Sequence, residues 1–301
     1  MQEKKVYPTG CHSISNEAYH SSAGISRSGI VEFKKSAKHF WYKYLNENYV
    51  SPPSSPEMEF GTAFHAYVLE PEKFDLEYIV KQDKREKLPE VPLLKDVGRE
   101  EYDKAKLAYE TERLRRKHED NAFYNAAFGK KQIAQSDLDT IKLMANAIAE
   151  NPQTDGLITG AQYEQSLYWR DEETGLLCKC RPDILHPHFV VDLKTARDAS
   201  PRAFQREFYE RGYHIQLAFI HMGIKAIYGK HITDFIDLAV EKEAPYCTAI
   251  YPIDQTALEY GIGEVRHYLT AIKECYETNQ WRSYQSQTIT LPSWVITGEQ
   301  L

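Results

Sequence analysis

The sequence has little of what a secreted or membrane protein needs. No run approaches the roughly 18 consecutive apolar residues of a membrane-spanning helix, and the opening residues MQEKKVYPTGCHS hold no apolar stretch typical of a signal peptide. Cysteine is scarce, and the five present are scattered without the spacing of a four-cysteine metal site: Cys11, Cys178, Cys180, Cys247 and Cys275. We therefore expect reduced thiols, no membrane partner and a cytoplasmic location.

Positive charge is also in deficit. The 301 residues include 37 Lys and Arg against 44 Asp and Glu, which gives a formal net charge of −7. This balance argues against nucleic-acid binding by the whole surface, but it allows a local basic groove and carboxylates gathered around a metal ion. The sequence also lacks internal repeats and an interdomain linker. We expect a single domain over 1–301, with a mainly helical N-terminal elaboration at 1–150 and a core with a closing helix at 155–282.

Helical spacing of apolar residues predicts the N-terminal helices. The first extends to Tyr44, and either Ser26 or Ser28 serves as its N-cap. A second helix covers EMEFGTAFHAYVLEPEKF up to its proline. Two charged helices are expected within 100–150, the later one starting with a capping box at Ser136.

Alternation of apolar and polar residues predicts strands in the second half. Three runs, 163–170, 176–185 and 189–194, are separated by the turn DEETG and by the short segment HPH. A long helical segment with a break near Gly212, two more strands and a closing helix follow. This order indicates an α/β (α+β) fold with a central mixed β-sheet flanked by helices.

Charged residues stand at the ends of the predicted strands. Glu164 lies near the start of the first, Asp183 lies on the second, and Asp192 and Lys194 lie on the third. Because residues two apart on a strand face the same side, Asp192 and Lys194 project together while Leu193 faces away. Carboxylates that converge in this way repel one another unless a cation neutralises them, and Mg²⁺ is the hard cation that prefers oxygen ligands.

The pattern therefore predicts metal-assisted hydrolysis of a phosphodiester. Lys194 would orient or help to deprotonate the attacking water and stabilise developing negative charge. Taken alone, an Asp-x-Lys triplet is usually a surface ion pair, and a Pro-Asp pair is usually a turn. The full set, in this strand order and next to apolar runs, is much more specific.

Longer stretches carry a family resemblance. The order Glu164, Asp183, Asp192-Leu193-Lys194 resembles the core of PD-(D/E)xK nucleases, which have a restriction-endonuclease-like fold. The segments ISRSGIVEFKKSAKHFWYKYL, GTAFHAYVLEPEKF, CKCRPDIL, VVDLKTARDAS and YHIQLAFI together resemble the RecE (exonuclease VIII) family, in the RecB-like branch, of phages and prophages. The resemblance covers roughly residues 12–295 and is weakest across 80–135.

The resemblance implies roles for individual residues. The matched catalytic positions are Glu164, Asp183, Asp192, Lys194 and Gln216, and the matched metal ligands are His65, Asp183, Asp192 and the backbone carbonyl of Leu193. Without the motif, His65 would be read as a core histidine. The family has a tyrosine four residues after the glutamine, where this sequence has Ile220; whether Tyr213, one turn earlier, replaces it is left open.

Two segments concern substrate handling. Ser26, Arg27 and Ser28 stand at a predicted helix N-terminus, where backbone N–H groups and hydroxyls suit a 5′-phosphate, although ordinary capping explains them equally. The clusters RLRRKHED and GKK line a DNA channel or form a solvated helix face.

The resemblance also implies a function. It is that of a Mg²⁺-dependent exonuclease, with Mn²⁺ as the other candidate ion, that degrades linear double-stranded DNA 5′ to 3′ and leaves 3′ overhangs for phage-type recombination. The implied partners are DNA ends, a single-strand annealing protein of RecT type and further copies of the chain in a ring, all in the cytoplasm of a bacterial host cell. The alternatives are an endonuclease or nickase with the same fold, and a non-catalytic DNA-binding relative.

Overall fold

Helices dominate the first half of the chain. The structure is a computed structural model that describes residues 4–82 and 86–291, so the outermost residues of the predicted domain lie outside the described residues. The helices of this half are α1 (Asn16–Ser21), α2 (Arg27–Lys35), α3 (Ala37–Tyr44), α4 (Pro56–Leu69), α5 (Pro71–Glu77), α6 (Arg99–Ala127) and α7 (Gln135–Glu150). Its strands are β1 (Gly10–His12), β2 (Tyr78–Val80) and β3 (Lys131–Ile133).

Strands and helices alternate in the second half. A 3₁₀ turn at Pro152–Thr154 leads into it. The strands are β4 (Gln162–Tyr163), β5 (Ser166–Arg170), β6 (Leu177–Cys180), β7 (Ile184–Leu185), β8 (Phe189–Ala196), β9 (Asp234–Glu241) and β10 (Thr248–Pro252). The helices are α8 (Pro201–Glu210), α9 (Tyr213–Tyr228) and the closing helix α10 (Gln255–Thr278). None of the helices in the described part of the chain is long and apolar enough to span a membrane.

The central sheet has five strands in the order β10-β9-β8-β7-β4. Strands β8 and β9 are parallel and are joined through α8 and α9, whereas the other neighbouring pairs are antiparallel. This arrangement confirms the predicted central mixed sheet. The parallel register places Asp192 beside Asp237 and Leu193 beside Leu238.

Two of the predicted strands are wrong, because each is divided between the central sheet and a second sheet. The run 163–170 divides into β4, in the central sheet, and β5, in a three-stranded sheet of order β1-β5-β6. The break falls at Glu164, whose φ of 50° cannot continue a strand. The run 176–185 divides into β6 and β7 around Pro182, which has no N–H for a strand ladder.

The predicted helix ends are partly wrong. The segment that ends at Tyr44 forms two helices, because Ser36 is extended and its hydroxyl accepts from the His39 amide to start α3. Ser136 is not an N-cap: α7 begins at Gln135, and the Ser136 carbonyl accepts from the Thr140 hydroxyl. The predicted break near Gly212 is confirmed, since this residue has a φ of 66° between α8 and α9.

Two apolar clusters cover the two faces of the central sheet. On one face, Leu193 and Leu238 pack with Phe64 of α4 and Ile141 of α7. On the other, α9 packs between the central sheet, the three-stranded sheet and α10, in a cluster that includes Trp169, Cys178, Cys180, Phe219 and Val265. Because Leu193 belongs to the first face, strand alternation directs Asp192 and Lys194 towards α9.

Candidate active site

The Glu164 carboxylate is held at the break between β4 and β5. Its backbone N–H donates to the Asp183 carbonyl over 2.9 Å, which fixes the residue in its left-handed conformation. Arg181 Nε donates to Glu164 Oε2 over 2.5 Å. The same guanidinium also donates to the Ile14 carbonyl and the Ser166 hydroxyl, so it is fixed in place. Strained backbone of this kind often marks a functional position.

His65 approaches this carboxylate from α4. Its neighbour Phe64 is fully buried in the core, so the next residue along the helix turns towards the sheet edge. His65 Nδ1 lies 3.6 Å from Glu164 Oε1 and 3.7 Å from Asp183 Oδ2. One ligand atom from each of these three residues lies within 4.8 Å of the others.

Asp183 connects this cluster to β8. Its Oδ2 accepts from the Leu193 backbone N–H over 2.8 Å, which holds the carboxylate against the middle of the strand. Burial and the nearby Asp192 carboxylate raise the pKa of Asp183 well above its usual value. The predicted role of the Leu193 carbonyl as a metal ligand stays a prediction.

The charges of the cluster shift one another's pKa. Burial alone would lower the pKa of His65, but Asp183 and Glu164 raise it to about 9. Burial alone would raise the pKa of Glu164, but His65 and Arg181 lower it to about 2. Without a metal ion, a protonated imidazole therefore stabilises the charged form of Glu164.

Lys194 occupies the other half of the site. Its ammonium forms an ion pair with Asp192 and donates to Gln216 Oε1 over 3.1 Å. It also lies 4.2 Å from the centre of the Tyr213 ring. Gln216 Nε2 donates to Asp192 Oδ1 over 2.8 Å, so the amide of α9 holds both members of the pair. Ile220 is fully buried, and the aromatic ring next to Lys194 is that of Tyr213.

The structure thus brings the predicted residues together in two adjoining groups. His65, Glu164 and Asp183 form the group with metal-ligand spacing. Asp192, predicted as a metal ligand, instead directs its oxygens to Lys194 and Gln216. The two groups adjoin, because Asp183 accepts from the backbone N–H of Leu193, the residue that follows Asp192.

The donor atoms suit a hard divalent cation. Two carboxylates and one imidazole are a ligand set for Mg²⁺ or Mn²⁺, and neither group includes a thiolate. A cation would also relieve the repulsion that raises the pKa of Asp183. The residues present therefore fit a divalent metal ion held by His65, Glu164 and Asp183.

A comparison with protein families identifies the type of domain. Residues 26–289 match the model of the PDDEXK-like domain of unknown function (DUF3799). The chain belongs to this PDDEXK-like family. The predicted PD-(D/E)xK type of domain is therefore confirmed, whereas the RecE-type assignment stays a prediction.

Solved structures show the same fold. The PDDEXK-like chain is similar to the crystal structure of a "putative exonuclease" from Eubacterium rectale, with a TM-score of 0.54 and 14% sequence identity. The alignment covers 95% of this chain and 98% of the other. A search of curated proteins found no match.

A cleft opens onto the PDDEXK-like site. It has a volume of about 760 Å³ and is lined by His65, Glu164, Asp183 and Gln216 on one side. Its cationic lining residues are Lys4, Arg27, Lys73, Lys131, Lys179 and Arg181. Its acidic lining residues are Glu70, Glu77, Glu164 and Asp183, the first three of which pair with Lys73, Lys131 and Arg181. The lining is therefore mixed in charge, with a small excess of basic side chains.

The predicted phosphate-binding segment also lines this cleft. Ser26 is the N-cap of α2, but its hydroxyl makes no capping hydrogen bond, and Ser28 is exposed. Arg27 donates to the carbonyls of Arg211 and Gly212 in the α8–α9 turn. Ser26, Arg27 and Ser28 therefore line the same cleft as the site, with the Arg27 guanidinium anchored on the α8–α9 turn.

The two basic clusters of the sequence differ in their surroundings. In the first, Arg115 pairs with Glu112 and Glu119, and Arg116 pairs with Glu112, as expected for a solvated helix face. In the second, Lys130 donates to the Asp75 carbonyl, and Lys131 lines the cleft.

Sequence reasoning missed two residues of the site. Arg181 was passed over because a residue before Pro-Asp looks like part of a turn. Asp237 is fully buried on β9 beside Asp192, and burial together with Asp192 raises its pKa to about 8. The signal for Asp237 was available as a single acidic residue inside the apolar strand DFIDLAVE.

Proposed function

We propose that this PDDEXK-like protein is a Mg²⁺-dependent exonuclease that degrades linear double-stranded DNA from 5′ ends. The observation that carries the proposal is the juxtaposition of the His65, Glu164 and Asp183 cluster with the Lys194–Gln216 pair, next to a cleft that the cluster and Gln216 line. The family and the similar fold support a nuclease, and the direction of cleavage comes from the resemblance to the RecE family.

The chain's own residues divide the work. Glu164, Asp183 and His65 would hold the metal ion, with Asp192 as a further predicted ligand, and His65 would have to lose the proton that its raised pKa retains. A bound Mg²⁺ supplies polarisation of a phosphoryl oxygen and lowers the pKa of a coordinated water. Lys194, fixed by Gln216 and the Tyr213 ring, presents its ammonium to the negative charge that develops on the phosphate.

The size of the cleft favours action at a strand end. A volume of about 760 Å³ is that of a small-molecule pocket rather than of a groove for a whole duplex. One frayed strand would enter, and the terminal phosphate would lie near Ser26, Arg27 and Ser28. A terminal monoester carries a charge close to −2, so hydrogen bonds to it are stronger than those to an internal diester.

The wider biological role belongs to the same proposal. A product with 3′ overhangs suits a single-strand annealing protein of RecT type in phage-type recombination. A ring of several copies would retain the DNA between cleavage steps. Both expectations rest on the resemblance and extend the proposed activity.

Linear and covalently closed duplex DNA of the same sequence provide the test. We expect degradation of the linear form in Mg²⁺, complete inhibition by a chelator, and early release of a 5′ label relative to a 3′ label. Cleavage of the closed circle would identify an endonuclease or nickase. Binding without cleavage of either form would identify a DNA-binding relative.

The phosphate pocket has its own test. We expect 5′-phosphorylated duplex to be degraded without a lag and 5′-hydroxyl duplex with one, because each cleavage regenerates a 5′-phosphate. Replacing Arg27 and Ser28 by alanine should remove this difference while slow cleavage persists. Equal initial rates on the two ends in the parent protein would eliminate the pocket but not the nuclease.

A further inference from the structure

A buried carboxyl group next to the site has no role in the chemistry described so far. Asp237 lies at the middle of β9 and is fully buried. Within the described part of the chain, neither of its side-chain oxygens has a hydrogen-bond partner. A buried carboxyl without a partner destabilises the fold, so its presence in a core strand calls for an explanation.

The position of Asp237 is fixed by strand register. Asp237 and Asp192 are direct partners in the parallel β8–β9 pair. Partners in neighbouring strands lie about 5 Å apart and share a face of the sheet, so both side chains point towards α9. Lys194 shares this face, and its ammonium is paired with Asp192, the register partner of Asp237.

Lys194 has one ionic partner at hydrogen-bonding distance, Asp192, and a second carboxyl group, Asp237, lies beside that partner on the same face of the sheet. A divalent ion at His65, Glu164 and Asp183 would attract the neighbouring Asp192 carboxylate away from Lys194. The ammonium would then be buried with a weakened partner, which is unfavourable in a site that water barely reaches.

We propose that Asp237 is a positioning residue that takes over the Lys194 ammonium when Asp192 turns towards the metal ion. This inference rests on the proposed function, because it assumes a metal ion at the site. Asp192 could then move from Lys194 to the metal ion, while Lys194 keeps its place between the Tyr213 ring and Gln216.

The proposal makes metal binding depend on Asp237 only through Lys194. Without Asp237, releasing Asp192 from Lys194 leaves the ammonium unpaired, so Asp237→Asn should weaken Mn²⁺ binding by about tenfold or more, as partners of ligand groups generally do. When Lys194 is replaced by methionine, no ammonium needs a second partner. In that background, Asp237→Asn should change the Mn²⁺ dissociation constant by less than about twofold.

Calorimetric titration with Mn²⁺, without DNA, measures this cycle on four proteins: the parent, Asp237→Asn, Lys194→Met and the double variant. The matched control is Asp234→Asn, an exposed carboxylate on the same strand, which should leave binding unchanged. Equal weakening in both backgrounds would overturn the proposal and make Asp237 a direct metal ligand. An unchanged constant for Asp237→Asn in the parent background would also overturn it.

Turnover provides the second readout. Asp237→Asn should lower kcat on linear duplex about tenfold or more. The affinity for DNA in Ca²⁺ should be unchanged. The unfolding temperature of the metal-free protein should be unchanged or higher. If Asp237→Asn does not fold, Asp237→Ser serves in its place. Failure of the proposed function is distinguishable from failure of this inference. If the parent protein neither binds Mn²⁺ nor cleaves DNA, the proposed function itself is wrong, and no variant is needed to show it.

Discussion

Gln216 accepts a hydrogen bond from the Lys194 ammonium over 3.1 Å. The same amide donates to Asp192 over 2.8 Å, so one side chain of α9 sets the relative positions of the carboxylate and the lysine on β8. Gln216 is therefore more than a contact to substrate: it is part of the geometry of the site before DNA arrives.

Leucine is similar in size to glutamine but cannot form hydrogen bonds to Lys194 and Asp192. Replacing Gln216 by leucine should therefore reduce the cleavage rate by on the order of 10- to 100-fold. The loss should fall on kcat, with little change in DNA affinity measured in Ca²⁺. The matched control is Gln280→Leu, an exposed glutamine after α10. A variant with lower DNA affinity and unchanged kcat would show that Gln216 acts by binding substrate alone.

The metal-free protein should lose stability at alkaline pH, because His65 then loses the proton through which it stabilises the fold. Its pKa is raised from 6.5 to about 9 in the folded state, so the folded protein binds this proton more tightly than the unfolded chain. The stabilisation is fully present below about pH 6.5 and is lost as the pH rises through about 9.

Denaturant unfolding in a chelator, with the parent and His65→Gln compared, tests this linkage. We expect the parent's advantage in unfolding free energy to shrink by on the order of 1–3 kcal/mol between pH 6.5 and 9. An advantage that stays constant across this range would contradict the proximity of a protonated His65 to Glu164 and Asp183.

Two glycines of α10 test the packing that places α9. A Cβ on Gly261 would lie 2.3 Å from the His214 carbonyl oxygen, whereas a Cβ on Gly263 would meet nothing within 4 Å. Gly261→Ala should therefore lower the unfolding free energy by about 1–3 kcal/mol or more. Gly263→Ala should raise it by roughly 0.5–1 kcal/mol through helix propensity. Equal effects of the two variants would show that α10 does not pack this closely on α9.

The parts of the site that follow from short-range pattern were predictable. Asp192 and Lys194 lie two residues apart on a strand, and their common orientation follows from that spacing. His65 was found only through the resemblance, because a lone histidine beside Phe64 on a helix looks like a core residue.

The parts that depend on long-range pairing were not predictable. The left-handed backbone of Glu164 divides a run that alternates as one strand, and the cause is a hydrogen bond to Asp183, nineteen residues later. Asp237 became part of the site through the register of β9 against β8, across a two-helix connection. The conformation of Glu164 leaves no local signal, and the acidic residue inside the apolar strand marks Asp237 as unusual without showing which residue it lies beside, since both features result from tertiary contacts.

The most direct measurement of the central claim is the rate at which the parent, Asp192→Ala and Lys194→Ala degrade linear duplex DNA in Mg²⁺, with Glu172→Gln in the exposed β5–β6 turn as the control. The account predicts rapid degradation by the parent and the control and none by the other two variants. Both of these should remain folded, although metal-free Asp192→Ala loses the ion pair with Lys194 and the hydrogen bond from Gln216 and should therefore be less stable than the parent. Degradation by Asp192→Ala at near the parent rate would contradict the assignment of the site.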